Sequence, residues 1–275
     1  MSPRDSADTL AASIAFRDNR GLELRRPFPP LAFAREYLEP LRALAHRIIT
    51  RDYHRSSALG PNQAAQTPRW ASPTQGGGRT SLTLIRIRVD DQPQTTASAI
   101  GTPKPEHARQ SNRMSPAGIP MFYGAFDLDT AHAETFDPAM HAGKALSVGT
   151  FRSLRDLTLL DLAELPPVPS VFDLDRQPLI HSLRFLHAFA ADISQPIARD
   201  GREHIEYVPT QIVTEYFRRL FRSAEGRSLD GIIYRSAKHE GANAFVLFCE
   251  NEQCIDVDAP EDEGSLLRLA SISYL

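Results

Sequence analysis

Cysteine is scarce. Cys249 and Cys254 are the only two in 275 residues, too few for a disulfide framework. A basic excess is missing as well: the formal net charge is −3, which removes the electrostatic case for general nucleic-acid binding. Nowhere do apolar residues run on for the ~18 positions that a membrane helix needs. The opening MSPRDSADTLAASIAF carries early acidic residues and no long apolar stretch, which argues against a signal peptide. A phosphate loop is also lacking. GGGR at 76–79 has neither the Lys-Ser/Thr ending of a P-loop nor Gly-x-Gly-x-x-Gly spacing, so it reads as a hinge. These absences leave the expectation of a cytoplasmic protein that binds no membrane. Its composition is ordinary, 41% hydrophobic and 24% charged, and its length suits one large domain or two small ones.

What is present divides at a linker. Residues 1–26 are polar, mixed in charge and without a period, as in a frayed arm. LAFAREYLEPLRALAHRIIT, residues 31–50, repeats Phe33, Tyr37, Leu38, Leu41, Leu44 and Ile48 at helical spacing, with a kink expected at Pro40. Residues 58–80 are rich in Pro, Gly, Gln and Thr, which is linker chemistry. The boundary falls between a helical extension with its linker, 1–79, and a main domain, 80–275.

The main domain opens with SLTLIRIRV, a strand by its β-branched residues. PMFYGAF reads as a second strand, and Asp127 or Asp129 can cap a helix running through Glu134. ALSVGTF and LTLLDL read as strands joined by a short polar turn. PLIHSLRFLHAFAADI is an amphipathic helix, with Leu179, Ile180, Leu183, Leu186, Phe189 and Ala190 on one face. VPTQIVTEYFRRLFR is another, opening on a Pro-Thr cap. GIIYRS, NAFVLF, CIDV and the final LLRLASISYL complete the strand signals. Strands and helices mix without βαβ alternation, so the expected fold is α+β, a mixed twisted sheet with flanking helices.

Three chemistries compete for the functional reading. His132-Ala133-Glu134 looks like half of a zinc deaminase site, which also requires Pro-Cys-x-x-Cys. Here four residues separate the cysteines and Phe248 precedes the first. His132, Glu134 and His141 match no metal spacing either. No metal is expected, and His132 reads as a helix-face residue. Ser236 in YRSAKHEG lacks a Gly-x-Ser-x-Gly elbow and reads as a turn residue bonding its own backbone; His239 becomes a base only if the turn brings it round. The cysteines fit a buried strand pair as well as a reactive thiol. Arg86 and Arg88 share one face of LIRIRV. Such a pair is either a solvated edge or an anion site for a pyrophosphate or carboxylate.

The segments LIRIRV, IGTPKPEHARQSNRMSPAGIPMFYGAFDLDTAHAE, EYVPTQIVTEYFR and DGIIYRSAKHEGANAFVLF, in this order, resemble the RES-domain family over roughly residues 80–275. The resemblance implies an ADP-ribosyltransferase-like fold and an enzyme that consumes NAD+. Arg86, Glu134 and Ser236 fall on the three residues that give the family its name, with Arg47 the alternative for the arginine. Tyr123 matches the family's active-site aromatic, and Arg113 its turn arginine; with Arg88 these would contact NAD+. The implied reaction is NAD+ phosphorolysis or hydrolysis, with phosphate or water as acceptor. The implied partner is a helix-turn-helix antitoxin in a toxin–antitoxin pair. ADP-ribose transfer to a macromolecule and a non-catalytic NAD-binding module are the alternatives, and monomer and oligomer both stay open. The sequence departs from the family's minimal toxins by residues 1–79 and by a long loop after the arginine strand.

Overall fold

The computed structural model describes residues 50–53, 83–195, 206–222 and 226–275. The helix expected over 31–49, Arg47 and the linker at 58–80 lie outside them. Thr50, on which that helix would end, instead opens strand β1 (Thr50–Tyr53). The main domain then runs β2 (Thr83–Asp90), α1 (Ala97–Ile100), β3 (Phe122–Ala125), α2 (Leu128–Thr135), α3 (Pro138–His141), β4 (Ala145–Ser153) and β5 (Leu157–Asp161). It continues with α4 (Ile180–Ile193), α5 (Val208–Arg219), β6 (Gly231–Arg235), β7 (Asn243–Leu247), β8 (Cys254–Ile255) and β9 (Leu267–Tyr274). The fold is α+β, as expected.

The nine strands form one sheet in the order β1-β5-β6-β7-β3-β2-β4-β9-β8. Pairing is antiparallel except for β5 with β6 and β8 with β9. Strands β4 and β5, adjacent in sequence, are therefore not partners. In a flat sheet five strand spacings of about 4.8 Å would part them by about 24 Å. Leu154–Asp156 connects them, and that short a chain reaches about 15 Å at most. The sheet must curl. The curl closes over a core holding Leu84, Phe122, Phe151, Leu159, Phe245 and Leu267, and α1 plugs it with the fully buried Ala97 and Ile100.

Two further layers cover the outside. Helices α4 and α5 lay Leu183, Leu186, Phe189 and Phe217 on the outer face of β5–β6–β7, against Leu160, Ile232 and Val246. This confirms the amphipathic reading of α4. The Pro-Thr cap of α5 needs correction. Tyr207 is the N-cap residue and makes no side-chain cap, while Thr210 lies inside the helix and its single hydroxyl proton is shared between the carbonyls of Arg113 and Tyr207. Helix α2 packs Ala131 onto Ile87, Leu146 and Val148 on the outer side of β2–β4. Among the described residues no helix is long and apolar enough to cross a membrane.

Strands β2 and β3 meet only at Ile85 and Ala125. There Gly124 is required: a Cβ would come within 2.7 Å of the Ile85 carbonyl and of the Phe245 ring. Beyond this point the two strands fork, and the candidate site is built around the fork.

Candidate active site

Strand alternation puts Leu84, Arg86 and Arg88 on the inner face of β2, with Ile85 and Ile87 outside. Strand β2 lies between β3 and β4, so a solvated sheet edge does not account for Arg86. It is 8% exposed. Its Nε donates to the Ile100 carbonyl at 2.8 Å and its Nη1 to the Tyr123 carbonyl at 2.7 Å. The guanidinium thus serves a β3 carbonyl where the β2–β3 ladder has ended. It also stands over the Phe122 ring, 5.1 Å from its centre. Burial pushes its pKa down to about 10, partly opposed by the nearby thiols of Cys254 and Cys249 and reinforced by Arg88. Among the described residues no carboxylate pairs with it. A buried cation without a counter-charge is costly, and its remaining donors favour an anion where one can reach them.

Glu134 reaches the site from α2. Asp127 caps that helix, accepting from the Thr130 amide and the Thr130 hydroxyl, both at 2.8 Å. Glu134 stands one turn beyond Thr130, on the same helix side. Its Oε1 accepts from the Ser236 hydroxyl at 2.5 Å and from the Ala237 amide at 3.0 Å. Its Oε2 has no partner among the described residues. One oxygen is fixed and the other is unengaged among the described residues.

Ser236 follows β6 at the start of the loop to β7. Its amide donates to the Ala242 carbonyl at 2.9 Å. Its Oγ accepts from the Lys238 amide at 3.2 Å and the His239 amide at 2.9 Å, so the turn reading of Ser236 holds. Gly241, with φ +78°, takes the left-handed conformation that reverses the chain. His239 does come round: its Nδ1 lies 2.8 Å from the Thr130 hydroxyl.

Tyr123 projects from the outer face of β3, and its hydroxyl bonds Ser115 at 2.9 Å. Burial pushes that hydroxyl above the usual tyrosine range, outweighing the Ser115 hydrogen bond. Tyr234, two residues before Ser236, is pushed well up by burial, with Glu134 and then Tyr123 adding to the effect.

Arg113 sits farther out. Its Nε donates to the Gln195 carbonyl at 3.1 Å, and its guanidinium stands 4.9 Å from the centre of the Tyr207 ring. Gln211 of α5 reinforces the same junction by donating to Ser111 Oγ at 2.7 Å and the Asn112 carbonyl at 2.8 Å. Loop 111–115, which presents Ser115 to Tyr123, is thereby clamped to α5. Arg88 keeps to the Arg86 face but is half-buried, with Nε 4.0 Å from Asp90 and no hydrogen bond to that atom. The structure thus joins Glu134 to Ser236 directly and Arg86 to Tyr123 through a carbonyl. It sets Arg113 at the loop–α5 junction and Arg88 beside Asp90.

Among the described residues no group of three or more His, Cys, Asp or Glu side chains could hold a metal ion. His132 stacks on Phe136 at 5.0 Å. Cys249 and Cys254 are buried, with sulfurs 3.7 Å apart. The sequence reading missed Ser115, Tyr234 and the Ala237 amide. Only Tyr234 left a signal, because period 2 places it on the outer sheet face that also carries Tyr123.

No curated protein and no solved structure matches the chain. A family model described as the RES domain matches residues 83–268, a span that holds Arg86, Glu134 and Ser236. The chain belongs to the RES-domain family.

Proposed function

We propose that this protein binds NAD+ and cleaves its nicotinamide–ribose bond, passing the ADP-ribosyl group to water or phosphate. The observation that carries the reading is the state of Glu134: one oxygen held by Ser236 and Ala237, the other unengaged. A carboxylate fixed in this way suits a reaction in which positive charge develops at an anomeric carbon. The bond from the nicotinamide nitrogen to that carbon breaks and its electron pair leaves with nicotinamide. The acceptor oxygen forms the new bond. When water is the acceptor, a proton goes to solvent.

Each neighbouring group has a part. Arg86 stands on the inner sheet face, opposite Tyr123 and the Glu134 helix. A diphosphate would meet it only through the β2–β3 fork, where a planar guanidinium pairs with phosphate oxygens. Glu134 Oε2 suits the ribose hydroxyls and the developing cation. Tyr123, partly buried, suits stacking on the nicotinamide, and Tyr234 packs in the core beside it. Ser236 orients the carboxylate and Arg113 orients the loop. Family membership supports an NAD-linked, toxin-like role, and the partner proposed for such a role is a helix-turn-helix antitoxin.

The test is to incubate the purified chain with NAD+ and follow nicotinamide release with and without phosphate. Release that rises with phosphate identifies a phosphorylase, and release indifferent to it a glycohydrolase. No release with either acceptor would sink the reading.

A further inference from the structure

The loop carrying Ser236 and the helix carrying Glu134 are joined at a second point, away from the carboxylate. Thr130 is fully buried. Its hydroxyl has one proton, and Asp127 Oδ2 accepts it at 2.8 Å, since an ionised carboxylate can only accept. The contact from Thr130 Oγ1 to His239 Nδ1, also 2.8 Å, must then run the other way, with Nδ1–H donating to the hydroxyl. This proton count assigns the neutral ring to the Nδ1–H tautomer and leaves Nε2 bare. The His239 amide meanwhile donates to Ser236 Oγ at 2.9 Å. His239 therefore grips the helix with its ring and the serine with its backbone.

We infer that His239 and Thr130 form a latch that holds the Ser236 turn against the Glu134 helix, which makes His239 a positioning residue for the reaction proposed above. The inference rests on that reading for its kinetic consequence, and on geometry alone for the latch. The spacing explains why a latch is useful. Thr130 and Glu134 are four residues apart, so His239 and Ser236 bind successive turns of one helix face. The Ser236 and Ala237 contacts converge on one atom, Glu134 Oε1, and Lys238 Nζ adds only an exposed 3.4 Å contact to the Glu134 carbonyl. On these alone the turn would pivot about Oε1, whereas the His239 contact one helical turn away fixes its angle. The imidazolium also carries Nδ1–H, so the contact does not depend on the charge of the ring.

The test has an arm that needs no activity. Nitrogen-15 spectra of the full chain should show neutral His239 protonated on Nδ1, and a ring protonated on Nε2 overturns the assignment. In Thr130→Val the amides of Lys238 and His239 should exchange with solvent faster than in the parent protein, and unchanged exchange overturns the latch. In nicotinamide release, His239→Ala should lower kcat by about 10- to 100-fold with KM little changed. His239→Asn, whose amide nitrogen reproduces the Nδ1 donor, should regain most of that loss. His239→Ala combined with Thr130→Val should be no worse than the more damaging single change, because both break one contact. Failure of Asn to rescue, together with loss of an acid limb, would make His239 a base rather than a latch. If the parent protein releases no nicotinamide, the NAD+ reading falls, and the tautomer and exchange measurements still decide the latch.

Discussion

Ser236 and Glu134, 102 positions apart in the chain, share a 2.5 Å hydrogen bond in which the serine hydroxyl donates. The same Oγ accepts from the amides of Lys238 and His239. A hydroxyl has one donor and two acceptor sites, and all are used. Ser236 is therefore placed to hold a carboxylate and has no lone pair left for attack.

Glu134→Gln should lower nicotinamide release by at least about 10²-fold, since the charge that faces the developing cation is gone. Ser236→Ala should cost less, about 10- to 100-fold in kcat, because the Ala237 amide still holds Oε1. Steady-state kinetics on both variants checks the order. A serine variant more damaged than the glutamate variant would contradict it.

Arg86 predicts binding of a small anion. Inorganic pyrophosphate should raise the unfolding temperature of the parent protein, because a ligand that binds only the folded state stabilises it by mass action. Arg86→Lys should lose most of that shift, since a point charge cannot serve the carbonyls of Ile100 and Tyr123 and an anion in one plane. Equal shifts in the two proteins would place the anion elsewhere.

The buried tyrosines predict an alkaline loss of stability. Tyr123 and Tyr234 have folded pKa values raised above the ordinary 10.0. Between pH 10 and those raised values the folded state holds protons that the unfolded chain has released. Their contribution is complete below about pH 10 and falls as pH rises, by ~1.4 kcal/mol per pH unit for each such group. Arg86, lowered to about 10, works in the opposite sense above that pH. Denaturant melts across this window should show a shallower decline for Tyr123→Phe, and an identical slope would refute the assignment.

Gln211→Ala should destabilise the fold by about 1–3 kcal/mol, because Ser111 Oγ and the Asn112 carbonyl lose a donor at a mostly buried junction. Equilibrium unfolding measures it. The same variant should raise KM for NAD+ through slack in the loop that presents Ser115 to Tyr123. A loss below a few tenths of a kcal/mol would show that the clamp is carried by other contacts.

Much of this was legible in the chain. LIRIRV, PMFYGAF and the capped stretch from Asp127 to Glu134 read as strand, strand and helix because propensity, alternation and capping are local and agree. The α4 face was legible for the same reason. Local rules could not show that β4 and β5, three residues apart in sequence, stand far apart in the sheet, because pairing is settled by the core that closes between strands. Nor could they show that the Thr210 hydroxyl would turn back to carbonyls instead of capping its helix, since a tertiary neighbour outbid the local motif.

The site divides along the same line. The resemblance to the RES-domain family singled out Arg86, Tyr123, Glu134 and Ser236; taken one at a time, their local patterns read as a solvated edge, a core aromatic, an exposed helix residue and a turn. Whether Arg86 faced water or a core depended on its strand having neighbours on both sides and forking from one of them, a fact about distant segments. Whether Ser236 attacked or oriented depended on three hydrogen bonds, one of them to a helix 102 positions away. Short-range sterics are written into consecutive residues. Burial, charge pairing and proton direction arise only when the chain folds back on itself.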